Sequence, residues 1–360
     1  MDRVSRRNPF PVPVNSNVPF INNASYQTIP FDAKSTYAQQ WNLSIQKQIG
    51  TDWLAQANYV GTGTVHVWTG NQVNPGIFLG LGACSINGQA SNPCSTIGNV
   101  DRRRKLNLQD PVNGQYYGSI SQLDDGGTAS YHGLLLSLQR RTARGFTVSG
   151  NYTWSHCISD LANAELAVAG TNYLIPDNRR SSRGNCLTSD RRHNFNLSTV
   201  YQTPQFSGGA MRTLGSGWQF SSIVRLRGGE YLSVATGIDQ ALTGAAAQRP
   251  NQVLGSPYSD SKTVDHWLNP DAFLQPALGT YGNMGAYNVL GPGLIQIDMG
   301  VTRTFKVRET QSVQFRAEAF NVPNHLNPSN PVTALNTTVF GKIQAAADPR
   351  ILQLALKYVF

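Results

Sequence analysis

Charge is scarce in this chain. Asp, Glu, Lys and Arg make up 14% of its 360 residues, where a typical soluble domain carries about 25%. Long apolar runs are missing too. No stretch of about 18 apolar residues occurs, which excludes a transmembrane helix. Mean hydropathy is only −0.30. Basic residues follow Met1, but Pro9, Pro11 and Pro13 come next rather than an apolar segment, so no secretory signal peptide is expected there. No segment keeps a 3.6-residue apolar period for long, which argues against a helical domain. Catalytic patterns are missing as well: no HExxH, no GxSxG, no phosphate-binding GxxxxGK[ST]. Zinc-type CxxC spacing is absent. His156-Cys157 with Asp160 can be drawn as a nucleophile site, but an ordinary loop position is the reading adopted. Neither an enzyme nor a cofactor is expected.

What is present is period 2. The last ten residues place Leu352, Leu354, Leu356, Tyr358 and Phe360 on one parity and Gln353 and Lys357 on the other. That is a strand with one apolar face. An apolar ladder ending in aromatic rings suits a lipid-facing strand of an outer-membrane barrel. Leu352, Leu354 and Leu356 are then lipid-facing, Gln353 and Lys357 lumen-facing, and Tyr358 and Phe360 have the form of a terminal assembly signal. The last strand of a soluble sandwich is the bland alternative.

Eight more strands read the same way. They centre on Trp41–Ile45, Trp53–Tyr59, Leu134–Leu138, Phe146–Trp154, Phe195–Tyr201, Trp218–Leu226, Ile295–Val301 and Val313–Ala319. In the eighth, Arg316 and Glu318 fall on the presumed lumen side, where a structural pair is expected. Gly228-Gly229 interrupts the sixth and suggests a bulge or kink before Tyr231–Val234. Connections alternate in length. Short turns follow strands one, three and seven, and a modest connection with Pro204 follows strand five. Long stretches (61–130, 156–192, 237–293 and 321–350) separate the other pairs. Membrane barrels sort their connections this way, with short periplasmic turns and long extracellular loops. A soluble sandwich has no reason to.

The expected fold is therefore all-β: an antiparallel transmembrane β-barrel, partial, of about nine strands. Single-chain bacterial barrels have an even strand count. Nine strands beginning outside the cell read as the C-terminal portion of a larger barrel over residues 36–360. Residues 1–35 read as a loop-like lead-in, a truncated extracellular loop. Net charge is +9. The basic clusters Arg102–Lys105, Arg140-Arg141, Arg179-Arg180, Arg183 and Arg191-Arg192 fall in loops or at strand ends, where solvated charge touching anionic lipopolysaccharide is expected. No nucleic-acid partner is expected, because that needs one basic face with stacking aromatics. The four cysteines lie in two long loops. Cys84–Cys94 and Cys157–Cys186 are the favoured pairings in an oxidising setting, since each closes its own loop. Other pairings, and four free thiols in a reducing compartment, stay open.

Several segments resemble one family. "YHGLLLSLQRRTARGFTVSGNYTWSHCISD" (131–160), "DRRHNFNLSTVYQTP" (190–204), "GWQFSSIVRLRGGEYLSVATG" (217–237), "GTYGNMGAYNVLGPGLIQIDMGVTRTF" (279–305), "VQFRAEAFNVPNHLNPSNP" (313–331) and "FGKIQAAADPRILQLALKYVF" (340–360) are similar to the barrel of Oar-like TonB-dependent outer-membrane transporters of acidobacterial type. The resemblance implies a 22-stranded barrel, an N-terminal plug, a regulatory-like domain ahead of it, and energy from a TonB complex. Plug, TonB-contacting segment and regulatory-like domain are not read in this sequence, so contact with TonB is expected only through such a part. Outer-membrane lipid, the barrel-assembly machinery and an unidentified extracellular ligand are the other expected partners. The competing expectation is a secreted, soluble β-rich module that binds glycans through loop Tyr and Trp.

Overall fold

The computed structural model describes residues 21–143, 145–160, 172–186, 190–245 and 248–360. Nine long strands form one sheet: β1 (Tyr37–Ile49), β2 (Trp53–Gln72), β3 (Tyr117–Ala143), β4 (Phe146–Ser159), β5 (His193–Gln202), β6 (Trp218–Arg227), β7 (Leu294–Lys306), β8 (Ser312–Phe320) and β9 (Ile351–Val359). Each pairs antiparallel with its sequence neighbour, so spatial order equals chain order. β1 and β9 are the edges, and the sheet does not close on itself. A meander of this kind puts the connections 50–52, 144–145, 203–217 and 307–311 at one end. The connections 73–116, 160–192, 228–293 and 321–350 gather at the other. No helix among the described residues is long and apolar enough to cross a membrane.

Register makes the sheet two-faced. Leu43 pairs with Tyr59 and Ile45 with Ala57; Tyr59 continues to Leu134 and Leu134 to Trp154. Phe220 lies between Tyr201 and Val301, and Leu356 pairs with Phe315. All of these side chains share one side. The opposite side is a polar ladder. Gln56 donates to Ser44 Oγ (3.4 Å), Asn196 to Asn151 Oδ1 (3.1 Å) and Arg225 to Asp298 (3.0 Å).

The buried core lies elsewhere. Val234, Leu268, Ala272, Phe273, Met284, Val289 and Phe340 pack together, and every one belongs to the connections 228–293 and 321–350. The long loops therefore fold into a cap with its own hydrophobic interior. The strand faces stay open, with Leu352, Leu354 and Leu356 at 70%, 74% and 75% exposure.

Three departures from the sequence reading have physical causes. First, β2 and β3 run far past the alternating segments, pairing as far as Gln72 with Ser121. Val67, Thr69 and the adjacent Gly70, of opposite parity, are all buried there, and a strand covered on both faces loses its alternation. Second, of the bulge or kink expected at Gly228-Gly229, the bulge does not form. The strand ends at Arg227, and a Cβ on Gly229 would lie 1.9 Å from the Gly291 carbonyl oxygen. Glycine is needed for that backbone crossing, and Tyr231-Leu232 then pairs with Val289-Leu290 inside the cap. Third, the lead-in holds a short strand, Ala24–Thr28, parallel to the outer end of β3; residues 1–20 of that lead-in lie outside the described residues. So does Arg144 of the β3–β4 turn.

Candidate functional site

Two regions carry the chemistry: the apolar sheet face and the cap. On the apolar face, rings collect at two levels. Toward the cap, the Tyr59 hydroxyl meets His132 Nδ1 at 2.8 Å and Tyr152 meets His193 Nδ1 at 2.7 Å, each pair stacked. Trp41 lies flat over its partner Gly61, where a Cβ would come within 2.2 Å of the indole. Toward the short turns, Phe146 packs on Tyr201, Tyr201 on Phe220, and Trp218 on Phe315. The terminal Tyr358 and Phe360 stack at 6.0 Å. Between the two levels the exposed side chains are aliphatic: Leu43, Ile45, Leu136, Leu138, Leu354. Trp53 and Tyr59 are six residues apart, roughly 20 Å along the strand. Two ring belts bracketing an aliphatic band is the surface pattern of a strand sheet standing in a bilayer.

On the polar face, Gln353 pairs in register with Glu318, and Lys357 with Gln314. Arg316 and Glu318 form an ion pair along their own strand at 2.6 Å. The sequence-predicted residues therefore divide cleanly: Leu352, Leu354 and Leu356 on the apolar side, Arg316, Glu318, Gln353 and Lys357 on the other.

The cap corrects the reading of the basic clusters as solvated charge at Arg103 and Arg104, while Lys105 and Arg180 stay exposed. Arg103 is 0% exposed. It donates to Asn99 Oδ1 (2.7 Å), Thr96 O (2.8 Å), Leu242 O (2.9 Å) and Ile77 O. Segments of two different connections, 73–116 and 228–293, are thereby pinned to one guanidinium. Burial lowers its pKa, and the nearby Asp239 carboxylate partly offsets that. Arg104, also buried, bonds Asn74 O and Asp101. Arg249 reaches Ser181 O and Met284 O. Arg191 pairs with Glu230, which also holds Asn330. A guanidinium has five donors in a fixed fork, which suits irregular loops rich in unpaired carbonyls. Run-on clusters in sequence gave no sign of this, because Arg102 and Arg103 look alike until the fold buries one of them.

Asp160 ends β4 as an acceptor for Thr128 N and Oγ1 (2.8 Å each), Arg183 (2.8 Å) and Arg180 (3.0 Å). Burial alone raises its pKa, but the bonds from Arg183 and Thr128 outweigh it and hold the carboxyl below the ordinary 3.8. A depressed acid stabilises the fold above its unfolded value and loses that contribution as pH falls through the folded one. We expect protease cleavage within 172–186 to accelerate as pH drops below 3.8, and Asp160→Asn to flatten that profile. A cleavage rate that stays constant from pH 5 to pH 3 in the parent chain contradicts the assignment.

The drawn nucleophile site does not assemble. Cys157 is bonded to Cys186, and Cys84 to Cys94. His156 sits instead beside Arg192 (2.7 Å) and the buried Asp190 (3.4 Å). A polar cavity of about 450 Å³ opens between Pro30–Lys34, the outer ends of β2 and β3, and Tyr173–Arg179. The Arg179–Asp124 pair (2.6 Å) forms one wall, and burial pushes the Tyr173 phenol up to about 12.

An open meander with one ring-bracketed apolar face and one polar face defines a class, the membrane β-barrel proteins. Residues 2–353 match the outer membrane beta barrel domain family, and the chain belongs to that family. Its place is the outer membrane, which displaces the secreted soluble module. No curated protein matches it in sequence. Among solved structures it is similar to the outer-membrane transporter YddB of Escherichia coli (12% identity, TM-score 0.46, covering 91% of this chain and 33% of that one). It is also similar to the E. coli ferric-catecholate import receptor Fiu (11%, 0.44, 92% and 28%). A third is the FrpB iron transporter of Neisseria meningitidis (13%, 0.41, 92% and 32%). The chain spans about a third or less of the length of these proteins.

Proposed function

We propose that this chain builds the C-terminal part of the barrel of a TonB-dependent outer-membrane transporter of Oar-like type. In this reading Leu352, Leu354 and Leu356 face lipid, and Arg316, Glu318, Gln353 and Lys357 face the lumen. Tyr358 and Phe360 are the signal read by the assembly machinery. The cap lies outside the cell and meets the ligand; its work is binding and passage, not catalysis. The observation that carries this is the two-faced meander with its ring belts, supported by the resemblance of the segments between 131 and 360. In lipid each unpaired backbone group costs several kcal/mol. The free edges of β1 and β9 therefore call for further strands that close the barrel. Contact with TonB is assigned to a plug outside these 360 residues.

The test is chemical access in isolated outer membranes. Cysteine at Gln353→Cys is expected to react with a membrane-impermeant maleimide, and cysteine at Leu354→Cys to react only after detergent extraction. Equal aqueous reactivity at the two adjacent positions would remove the lipid–lumen assignment.

A further inference from the structure

The turn end of the apolar face carries two arginines held in the same way. Arg140 lies between the rings of Trp53 and Phe146, its Cζ 5.5 Å from each centroid. Arg303 lies between Trp218 and Phe305, at 5.3 Å and 4.5 Å. Both stand on the parity of the apolar side chains: Arg303 pairs with Trp218 and Phe315, and Arg140 with Trp53. Neither forms an ion pair among the described residues. Arg303 does donate to the carbonyls of Thr213 and Leu214 at the end of the short helix Gly209–Leu214. Arg140 has less: its Nε is shielded from solvent and has no hydrogen-bond partner. The acidic groups at this end are few. Across the four short connections only Asp52 and Glu309 carry a carboxylate, and Asp52 takes the Thr51 hydroxyl at 2.7 Å.

A cation on a membrane-facing surface is costly unless it reaches an anion at the interface. Stacking a guanidinium between two rings fixes its plane by cation–π attraction. At Arg140 the two terminal nitrogens make no hydrogen bond among the described residues, which leaves the fork that matches two phosphate oxygens. At Arg303 the Leu214 and Thr213 carbonyls take one N–H of each terminal nitrogen, and the remaining N–H groups are left for the phosphate. The aliphatic band begins one residue pair further along the strands, so an acyl chain would continue directly from a phosphate held here. Charge, geometry and continuity agree on the occupant.

We propose that Arg140 and Arg303 are two binding stations for the phosphate of an anionic phospholipid headgroup in the leaflet at the turn end. This rests on the lipid-facing assignment made above. The phosphate sits on the guanidinium edge, the rings flank it, and the acyl chains lie along the neighbouring leucines. The stations anchor the turn end of the sheet at a defined depth.

The experiment is native mass spectrometry of the full chain in mild detergent, with phosphatidylglycerol or phosphatidylcholine added. Phosphatidylglycerol is expected to be retained several-fold more. Each of Arg140→Gln and Arg303→Gln should cut that retention about fivefold, and the pair should bring it to the phosphatidylcholine level. Arg316→Gln on the polar face should change nothing, and Arg140→Lys, which keeps charge without the fork, should fall between. Heat-modified gel migration checks that each variant is folded. Equal retention of both lipids by every variant overturns the stations while leaving the lipid-facing reading standing. Retention of neither lipid, together with aqueous labelling of Leu354→Cys, overturns both. Displacement of phosphatidylglycerol by millimolar inorganic phosphate makes the site one for a free anion and overturns the lipid assignment.

Discussion

Arg103→Ala is expected to open the cap and leave the sheet intact. The side chain is fully buried and holds four acceptors from three separate turns of chain: Asn99 Oδ1, Thr96 O, Ile77 O and Leu242 O. Removing it strands those acceptors in the interior. An unsatisfied buried acceptor costs about 1–3 kcal/mol, and bonds to a charged donor are worth about 1.5–3 each. A loss of roughly 3–5 kcal/mol follows, at the large end of single substitutions. It should be local, because the core of the cap and the strand ladder share few side chains. Hydrogen exchange is the readout: amides in 73–116 and 237–245 should lose protection while β4 to β8 keep theirs. Arg102→Ala is the control. That neighbour makes one long bond to Ile86 O at 3.3 Å, and its removal should cost about 1 kcal/mol or less. Equal exchange in the two variants would mean that Arg103 stitches nothing.

Leu354→Arg is expected to destabilise the membrane-inserted sheet by about 2–4 kcal/mol, the cost of a cation on the lipid face near the bilayer middle. Leu354 lies in the centre of β9, and its partner Ala317 is on the same side. Gln353→Arg, one residue away, should be close to neutral, because Glu318 stands opposite it in register. Denaturant titration of the membrane-embedded protein reads the difference. The sign matters more than the size. A larger penalty at Gln353 would invert the two faces, and with them the proposed role of Arg140 and Arg303.

Much of the sheet was legible in advance because a membrane strand writes its environment into its parity. Lipid on one side and polar groups on the other impose strict alternation, and all nine long strands were found through it. The alternation of short and long connections likewise follows from a meander whose two ends meet different compartments. Where protein covers both sides of a strand, that signal vanishes. Residues 61–72 and 117–130 read as loop, although they pair as strands as far as Gln72. Ala24–Thr28 was missed for a related reason: it joins the sheet by parallel pairing to β3 and has too few residues to show a period.

The sequence by itself determined the class of fold, the order of the strands and which residues share a side, since parity is a local property of an extended backbone. It also pointed to the outer membrane, through scarce charge and a ring-terminated last strand. Only the tertiary structure decided what the loops do. It buried Arg103 and left Arg102 half-buried, bound Asp160 to Arg180 and Arg183, and set Arg140 between two rings from different strands. Those contacts join residues as far apart as Arg103 and Leu242. No local pattern encodes them, because the partners are mostly backbone carbonyls, which every residue type carries alike.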